Sequence, residues 1–474
     1  MTFDKFQRTL LIDCQIDMGK PLVLGFSGGP DSLALLHALK NLRVKIIVVH
    51  FDHSLRSESA EEALRAGRIA KTYGYPFFSE RGDVTTYADQ QSMSVEEAAR
   101  VLRYAFLFRV AQKQGAQAVA VAHNADDQAE TLLMHLLRGA GSRGLRGMSP
   151  RLVPNPWSQT IPLVRPLLVI WRREIEEYCQ VNGLQPLMDR TNFDTTYFRN
   201  LLRHELLPNL EGVSPGFKRR LNQTADLIGT EVELIHSLGK EAWKHCLRLR
   251  GTDYIQLDRA SFLAEPLAMQ RVLIHRAAEE LRPGLRDLEY KAVVSALELA
   301  HQKMSTPQDW TSGLCVLTEG NRFWIADWEA ELPVDWPQAP ENEIHIEVPG
   351  GFDLNRGWRL ELTEDGNPQA ATQNQDPFQA WLDQDRVGEE LILRRRQPGD
   401  RFQPLGMENG MQKLAEFMIN EKLPRRARET WPLLCKGNEI VWVPGYRLGN
   451  PYRLRTDNRQ ALHVHLWHSD GRSR

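Results

Sequence analysis

The sequence predicts an α/β fold: a Rossmann-like, doubly wound parallel sheet, followed by a helical domain and a small α+β C-terminal domain. Two observations predict the sheet. Over the first two hundred residues, short apolar runs alternate with helical patterns, which is the order of βαβ units. A glycine-rich segment, residues 27–32, follows the first apolar run and begins the first helix. Doubly wound folds bind ligands at this position.

The length of 474 residues predicts several domains, because a single hydrophobic core stops growing below that size. We expect an α/β domain at residues 1–214 and a helical middle domain at residues 215–330. An acidic region of linkers and strands is expected at residues 331–385, and a C-terminal domain at residues 386–474. The composition, 42% hydrophobic and 25% charged, is that of ordinary globular proteins and excludes a disordered or membrane class.

The first residues, the length of the apolar runs and the spacing of the cysteines predict where the protein is located and whether it has disulfides or a zinc site. The first residues lack a basic region followed by an apolar stretch, and no run approaches the roughly 20 apolar residues that span a bilayer. We therefore expect a cytoplasmic protein with no membrane partner. The five cysteines lie far apart, which predicts neither disulfides nor a zinc site. Residues 327–385 hold fourteen acidic residues and two arginines, so the rest of the chain is net positive and permits nucleic acid.

The elements of the first domain follow in order. Candidate strands cover residues 22–26, 44–50, 76–79 and 118–122, and a helix is expected at residues 32–39. A second helix is predicted to begin after Ser94. The Ser94 side chain can accept a hydrogen bond from the amide three residues later, and the Glu97 side chain can accept one from the Ser94 amide. Gly115 is a plausible end of this helix. These elements predict strands whose carboxyl ends share one edge of the sheet.

The second half of the chain has a different pattern. From residue 215 to about 319, apolar residues recur at spacings of three and four, which indicates helices. Residues 333–376 contain Pro, Gly, Asn and Gln clusters with short alternating pieces, which suggest strands and linkers. Residues 389–466 mix strand-like runs with one short helix near residues 413–421.

The glycine-rich loop is a predicted phosphate-binding site, formed by Ser27, Gly28, Gly29, Pro30, Asp31 and Ser32. Glycines let the backbone approach an anion, and amides at a helix start present partial positive charge to a phosphate. The Asp31 carboxylate would repel bare phosphate, which suggests Mg²⁺ at this residue or a catalytic role. The alternative is a tight Gly-Gly-Pro turn capped by Asp31 and Ser32. The loop fits neither GxxxxGK[ST] nor GxGxxG.

Further polar residues follow the second and fourth predicted strands. Asp52–Arg56 comes after the second strand, and His123–Thr131 after the fourth, where a helix would place Asp127 and Glu130 on one face. A site that binds phosphates and carries out proton transfer needs metal ligands and a group that accepts a proton, and carboxylates serve both needs. The alternatives are that Asp126 only favours a helix N-terminus, and that His123 is a core histidine.

The loop SGGPDS resembles the pyrophosphatase loop of the N-type ATP pyrophosphatases, or PP-loop superfamily. The ordered series DHSLR, EEAARVLRYAF, HNADDQAET, LLRGAGSRGLRGM and RPLL resembles the tRNA(Ile)-lysidine synthetases. Asp189–Asn192 and Tyr197–Arg203 match that family's D-x-x-N and YxRNxxR patterns, and RRRQPGDRFQPLG resembles its C-terminal module. The resemblance covers most of the chain except the middle domain and the acidic region.

The resemblance implies that ATP adenylates the C2 oxygen of the wobble cytidine in the CAU anticodon of tRNA(Ile), after which free L-lysine displaces AMP. It implies ATP, held by residues 27–32, and Mg²⁺ as cofactors. It also implies a catalytic PP-loop domain at residues 1–214 and tRNA-binding domains at residues 215–330 and 386–474. The implied catalytic residues are Asp31, Arg103, His123, Asp127 and Glu130. Which carboxylate acts as the base is left open, and so is a homodimer.

Basic residues outside the loop are the predicted tRNA ligands. An enzyme that acts on a loop base must unstack it, so basic groups beside the site are expected. Each arginine alone would be read as a solvated surface charge, and their clustering suggests RNA. The predicted set is Arg143, Arg146, Arg199, Asn200, Arg203, Arg395 and Arg426, with the last two binding phosphates far from the anticodon.

Two other functions fit parts of the sequence. A tRNA thiolase shares the ATP loop, but thiolases need cysteines for persulfide or cluster chemistry, and no cysteine lies in the predicted site. A non-catalytic nucleotide- or RNA-binding relative would not require Asp127 and Glu130 beside an intact loop. Pyrophosphate release that depends on lysine and tRNA would separate these functions.

Overall fold

The computed structural model describes residues 3–54, 59–187, 198–283, 285, 288–302, 306–365, 370–454 and 460–469. The chain divides into two compact units, Met1–Ser237 and Leu238–Arg474. The first unit thus extends past residue 214, into a helix that the sequence analysis assigned to the middle domain. None of the helices in the described ranges is long and apolar enough to cross a membrane.

The first unit alternates helices and strands. Its strands are β1 (Leu22–Gly25), β2 (Ile46–Asp52), β3 (Phe77–Arg81), β4 (Val119–Ala120), β5 (Arg151–Leu152) and β6 (Leu163–Val164). Its helices are α1 (Phe3–Arg8), α2 (Pro30–Asn41), α3 (Ser59–Thr72), α4 (Val84–Gln91), α5 (Val95–Lys113), α6 (Ala125–Leu137), α7 (Ser142–Leu145), α8 (Arg172–Val181), α9 (Phe198–Leu201), α10 (Leu207–Val213) and the start of α11 (Phe217–Cys246). All four predicted strands are present, with shifted ends.

The sheet of the first unit has the order β3-β2-β1-β4-β6-β5. All neighbours pair in parallel except β5 with β6. The strand order reverses at β1, which pairs with β2 on one side and β4 on the other. The crevice beyond the carboxyl ends of β1 and β4 is therefore the topological switch point, where open α/β sheets bind ligands. This confirms the predicted doubly wound fold.

Alternate strand residues supply two hydrophobic cores, one on each face of the sheet. Leu22 and Leu24 belong to the core that contains the apolar residues of α2, while Val23 belongs to the core on the other face, with α5. All seven residues of β2 are buried, as expected for a parallel strand covered by helices on both faces. The predicted start of α5 is confirmed, since the Ser94 side chain accepts a hydrogen bond from the Glu97 amide.

The second unit begins with a mixed segment. The rest of α11 is followed by α12 (Arg259–Ala264), α13 (Leu267–Leu281) and α14 (Tyr290–His301). Strands β7 (Leu247–Arg250), β8 (Tyr254–Asp258), β9 (Gln308–Asp309), β10 (Leu314–Glu319) and β11 (Arg322–Asp327) form a sheet in the order β7-β8-β11-β10-β9. The helices confirm the predicted helical character, and the antiparallel sheet is an addition that the sequence analysis missed.

The remaining strands form the C-terminal sheets. They are β12 (Ile344–Glu347), β13 (Gly350–Asp353), β14 (Trp358–Asp365), β15 (Gln379–Asp383), β16 (Glu390–Arg394), β17 (Arg401–Phe402), β18 (Gln412–Lys413), β19 (Leu433–Lys436), β20 (Glu439–Val443), β21 (Arg447–Leu448) and β22 (Ala461–His468). The short helices are α15 (Ala370–Gln373), α16 (Gln384–Val387) and α17 (Leu414–Asn420).

Residues 331–385 do not lie apart from the C-terminal segment, contrary to the expected separation. Strand β12 pairs with β16, and both β14 and β15 pair with β22. Apolar residues from both segments share one core, for example Leu360 on β14 with Val464 and Leu466 on β22. The acidic segment is therefore part of the C-terminal sheets, because strand pairing joins residues that the composition shift separates.

Candidate active site

The glycine-rich loop lies at the carboxyl end of β1, as predicted. Gly29 is the N-cap of α2, and Pro30 is its first residue. The Ser32 hydroxyl donates to the Gly29 carbonyl at 3.1 Å and lies 3.2 Å from the Ser27 hydroxyl. Amides in the first turn of a helix have no intrahelical acceptor, so the loop presents N–H groups and hydroxyls to the crevice. This arrangement fits a phosphate chain.

Gly28 has a backbone conformation that a side chain would strain. Its φ is +83°, and a Cβ at this position would lie 2.5 Å from Leu187 Cδ1. The Leu187 amide also donates to the Gly28 carbonyl at 2.9 Å. The loop is thus held against the segment after α8, and the space for a side chain is already filled.

We expect Gly28→Ala to lower the free energy of unfolding by about 1–3 kcal/mol, because it adds φ strain and a steric clash. Gly29→Ala is the matched control for folding, since Gly29 has φ −67° and a Cβ there would meet only Ser27 Oγ at 3.5 Å. Urea denaturation of both variants measures the difference. Equal losses in the two variants would contradict this account of the loop.

Asp31 is the acidic group of the loop and faces the crevice. Its side chain is 23% exposed, and it lies 3.7 Å from the Arg172 guanidinium. Burial raises the pKa of Asp31, Arg172 opposes that rise, and the nearby Asp127 carboxylate adds to it. A cation between the phosphates and Asp31 would favour the ionised carboxylate and so offset the effects of burial and of the Asp127 charge. Mg²⁺ is commonly held in this way, by one or two carboxylates and substrate phosphates. The residues therefore fit ATP with Mg²⁺.

Asn124 connects the ATP loop to the first turn of α6 by hydrogen bonds. Its side-chain nitrogen donates to Asp31 Oδ1 at 3.1 Å, while its Oδ1 accepts from the backbone amides of Asp126 and Asp127 at 2.9 and 3.0 Å. The Asp127 carboxylate in turn accepts from the Asn124 backbone amide at 3.0 Å. This capping box begins α6 and connects it to the ATP loop across the switch point.

Asp127 and Glu130 lie on one face of α6, as predicted, but two arginines already occupy them. Glu130, 1% exposed, accepts from Arg199 Nε at 2.8 Å and Arg203 Nε at 2.6 Å. Asp127 Oδ1 accepts from Arg203 Nη2 at 2.9 Å. Burial raises the pKa of Asp127 despite these cations. With both carboxyl groups ionised, the four groups form a network with no net charge.

Three predicted site residues belong to this network. Arg199 and Arg203 are predicted to bind RNA, and in this structure both guanidinium groups bind carboxylates. Glu130 is predicted to be catalytic, and both of its oxygens accept hydrogen bonds from arginines. These roles stay predictions. The neighbouring Asn200 is partly buried, and its predicted role stays a prediction. The predicted Asp189–Tyr197 motif residues lie outside the described residues.

His123 follows β4 and is held as a neutral imidazole. Arg165 Nε donates to His123 Nδ1 at 3.3 Å, so the other ring nitrogen carries the proton. Burial lowers the pKa of His123 well below its usual range, and the cations Arg165, Arg199 and Arg103 lower it further. This side of the crevice therefore favours anions, which suits a triphosphate or a nucleotide phosphate.

Arg103 lies on α5 near a second histidine, His53. Within the described ranges, Arg103 Nε and His53 Nδ1 are buried and have no hydrogen-bond partner. Buried polar atoms normally find partners, so this pair points to a bound group. Burial lowers the pKa of His53 to about 4, and the Arg103 charge contributes.

The lowered pKa of His53 predicts loss of stability in acid. Between pH 6.5 and about 4, His53 is protonated in the unfolded chain and neutral in the folded one. The unfolded state then binds more protons, so the free energy of unfolding falls as pH falls, by up to about 1.4 kcal/mol per pH unit. His53→Gln should flatten this dependence in urea denaturation across that range. An unchanged slope in the variant would contradict the assignment.

A cavity of about 210 Å³ adjoins the carboxylate network. Its lining is mixed in charge, with apolar surface from Leu207 and Pro208; the charged residues are Asp126, Glu130, Arg172, Arg203, Glu211 and Lys218. The Asp126 carboxylate accepts from Lys218 Nζ at 2.6 Å and from the Arg172 amide at 2.9 Å. A cavity with both signs of charge and an apolar wall suits a zwitterion with an aliphatic chain.

The other predicted RNA ligands have different surroundings. Arg143 on α7 is exposed, and Arg146 after α7 is partly exposed, so their RNA role stays a prediction. Arg395 is half-buried and donates to the Ala339 carbonyl at 3.0 Å, and its role also stays a prediction.

Arg426, the last predicted tRNA ligand, makes several contacts with other residues of the second unit. Its guanidinium makes two hydrogen bonds of 2.7 Å to the fully buried Glu319 side chain and a third, of 3.1 Å, to the Leu332 carbonyl. It also lies over the ring of Trp336. These contacts connect Arg426 to β10 and to the chain after β11, and its predicted tRNA role stays a prediction.

Sequence reasoning missed Asn124, Arg165 and Arg172 as site residues. Arg165 belongs to the motif RPLL of the resemblance, but the sequence analysis predicts no role for it. Asn124 stands beside His123 in a quoted motif, but its contact with Asp31 joins residues 93 positions apart. Arg172 carries no distinctive sequence signal. Long-range pairings of this kind cannot be read from one sequence.

The chain is similar to known proteins over nearly its whole length. Residues 4–210 match the PP-loop domain family, and residues 391–466 match the TilS substrate C-terminal domain. The chain is 33% identical to a tRNA(Ile)-lysidine synthase of Dehalococcoides mccartyi, over 95% of this chain and 96% of the relative. It is 34% identical to one of Symbiobacterium thermophilum over 97% of each, and 33% identical to one of Geobacter sulfurreducens over 94% and 93%.

Proposed function

The chain belongs to the tRNA(Ile)-lysidine synthase family and is an ATP-using ligase, and from that premise we propose that it attaches free L-lysine to C2 of the wobble cytidine in tRNA(Ile). The observation that carries the proposal is the meeting of two motifs at the switch point. The loop residue Asp31 and the helix residue Asp127 belong to the two segments that Asn124 connects by hydrogen bonds.

The proposed reaction has two steps. First, the C2 oxygen of cytidine attacks the α-phosphorus of ATP, and pyrophosphate leaves. The ε-amine of lysine then attacks C2, loses a proton, and displaces AMP with the oxygen. The loop amides, together with Mg²⁺ held at Asp31, would balance the charge of the triphosphate. The cationic surroundings of His123 favour the same charge. Neither Asp31 nor Asp127 is singled out as the base.

Lysine is proposed to bind in the cavity beside α6. Its carboxylate would meet Arg172 and Lys218, and its chain would pack on Leu207 and Pro208. An amino group needs a carboxylate partner, and Asp126 and Glu211 also line the cavity. The Asp127–Glu130 network would contribute only if Arg199 and Arg203 change partners when substrates bind. A cytoplasmic location and a homodimer are further parts of the proposal.

Lysine- and tRNA-dependent pyrophosphate release tests the proposal. We expect pyrophosphate release over many turnovers only when ATP, lysine and tRNA(Ile) are all present, because without lysine the enzyme stops at the adenylated cytidine after at most one pyrophosphate per enzyme. A thiolase would release pyrophosphate with tRNA and a sulfur donor and without lysine, and a non-catalytic relative would release none. Either of these two results would contradict the proposed function.

A further inference from the structure

A basic groove on the first unit is separate from the ATP loop and the cavity beside α6. It has a volume of about 580 Å³ and lies between α3 and the edge strand β3. Its apolar lining comes from Ala63, Leu64, Gly67 and Phe77, and its polar lining from Asp52, Arg68, Lys71, Ser79 and Arg81. Nothing in the proposed reaction uses this groove.

The charge of the groove is positive. Arg68, Lys71 and Arg81 are exposed, and within the described part of the chain neither Arg68 nor Lys71 has a carboxylate partner. The one acidic group of the lining, Asp52, is buried and lies 3.7 Å from Arg81. Its Oδ1 also accepts from the Ser54 amide at 2.8 Å. The groove therefore has uncompensated cations.

Apolar surface accompanies these cations. Leu64 is 63% exposed, although leucine is usually buried. The Phe77 ring packs on the core with one part and lines the groove with another. The absence of a side chain at Gly67 allows this packing, because a Cβ there would lie 3.1 Å from the ring. Single-stranded nucleic acid is bound by such a combination of a cationic track and an apolar or aromatic surface for bases.

The position of the groove relates it to the active site. Asp52 and Arg81 are the last residues of β2 and β3, so one end of the groove lies at the carboxyl edge of the sheet. The ATP loop follows β1 at that same edge. A strand in the groove would therefore lead toward the switch point. Arg68 and Lys71 lie one helical turn apart on α3, on one face, and can contact neighbouring phosphates.

We propose that the α3–β3 groove, lined by Arg68, Lys71 and Phe77, binds the single-stranded part of the tRNA substrate next to the reacting base. The inference rests on the proposed function. On the first unit, Arg199 and Arg203 are paired with carboxylates, whereas the groove offers the RNA cations that have no such partner among the described residues.

The test is binding of a tRNA(Ile) transcript to the full chain, measured over about 50 to 200 mM salt. The double variant Arg68→Gln/Lys71→Gln should weaken affinity on the order of tenfold and flatten the slope of log K against log salt by about 1.4, the value for two contacts to a single strand. The matched control is Lys20→Gln/Lys45→Gln. Both of these exposed lysines lie just before the amino ends of β1 and β2, at the opposite edge of the sheet.

Each outcome decides the inference. An unchanged slope in the double variant, or an equal loss in the control, would overturn it. A change in oligomeric state with unchanged tRNA affinity would assign the groove to a protein partner and would also overturn it. If the wild type shows lysine-dependent turnover while the slope stays unchanged, only the groove fails. If the wild type binds no tRNA, both the groove and the proposed function fail.

Discussion

Asp31→Asn is expected to reduce lysine incorporation by at least about 10²- to 10³-fold, the cost typical of removing one preorganised group that stabilises a transition state electrostatically. The protein should remain at least as stable as the wild type. Burial raises the pKa of Asp31, so the folded state holds this carboxylate at a cost. An asparagine oxygen can still accept the hydrogen bond from Asn124, while the change removes the charge and replaces the other oxygen with an NH₂ group.

Two measurements on the same variant separate function from folding. Labelled-lysine incorporation reports activity, and thermal denaturation reports stability. Asp17→Asn is the matched control, because Asp17 is exposed and lies before β1 at the opposite edge of the sheet. We expect it to keep activity. Full activity in Asp31→Asn would contradict the role given to this carboxylate, as would a large loss of stability, which would make Asp31 a structural residue.

Glu130→Ala, unlike Asp31→Asn, is expected to destabilise the protein, with a loss of about 3–5 kcal/mol in the free energy of unfolding. Glu130 is almost fully buried and bonds both Arg199 and Arg203. Without it, two largely buried guanidinium groups share the single carboxylate of Asp127. Breaking a buried ion network is costly because an uncompensated charge stays buried.

Glu61→Ala is the matched control for this prediction. Glu61 pairs with Arg65 on α3, and both side chains are more than half exposed, so its loss should cost less than about 1 kcal/mol. The double variant Glu130→Ala/Arg203→Ala should recover part of the lost stability. A cost for Glu130→Ala as small as that of the control would mean that the network is not a structural unit.

Local features of the fold could be predicted from the sequence. The ATP loop, the start of α5 at Ser94 and the start of α6 after Asn124 each depend on residues within a few positions of one another. The sheet of the middle segment was missed although a turn signal is present. Gly320 and Asn321 separate the apolar runs of β10 and β11, which pair as a hairpin, and a Gly-Asn pair between such runs favours a two-residue turn.

The partners of the site residues could not be predicted in the same way. Arg199 and Arg203 read as surface cations, because nothing near them in the sequence indicates their partner Glu130, 69 and 73 positions earlier. Arg426 read as a phosphate ligand for the same reason, although it binds Glu319, 107 positions away. Charge type is visible in a sequence, whereas the compensating charge is known only once the chain has folded.

The most direct test of the central claim is incorporation of labelled lysine into a tRNA(Ile) transcript with a CAU anticodon, followed by nuclease digestion and identification of the labelled nucleoside. We predict one lysine per transcript, dependent on ATP and located on the wobble cytidine, with AMP and pyrophosphate as the other products. Pyrophosphate release without labelled nucleoside, or label at any other position, would contradict the assignment of this chain's activity.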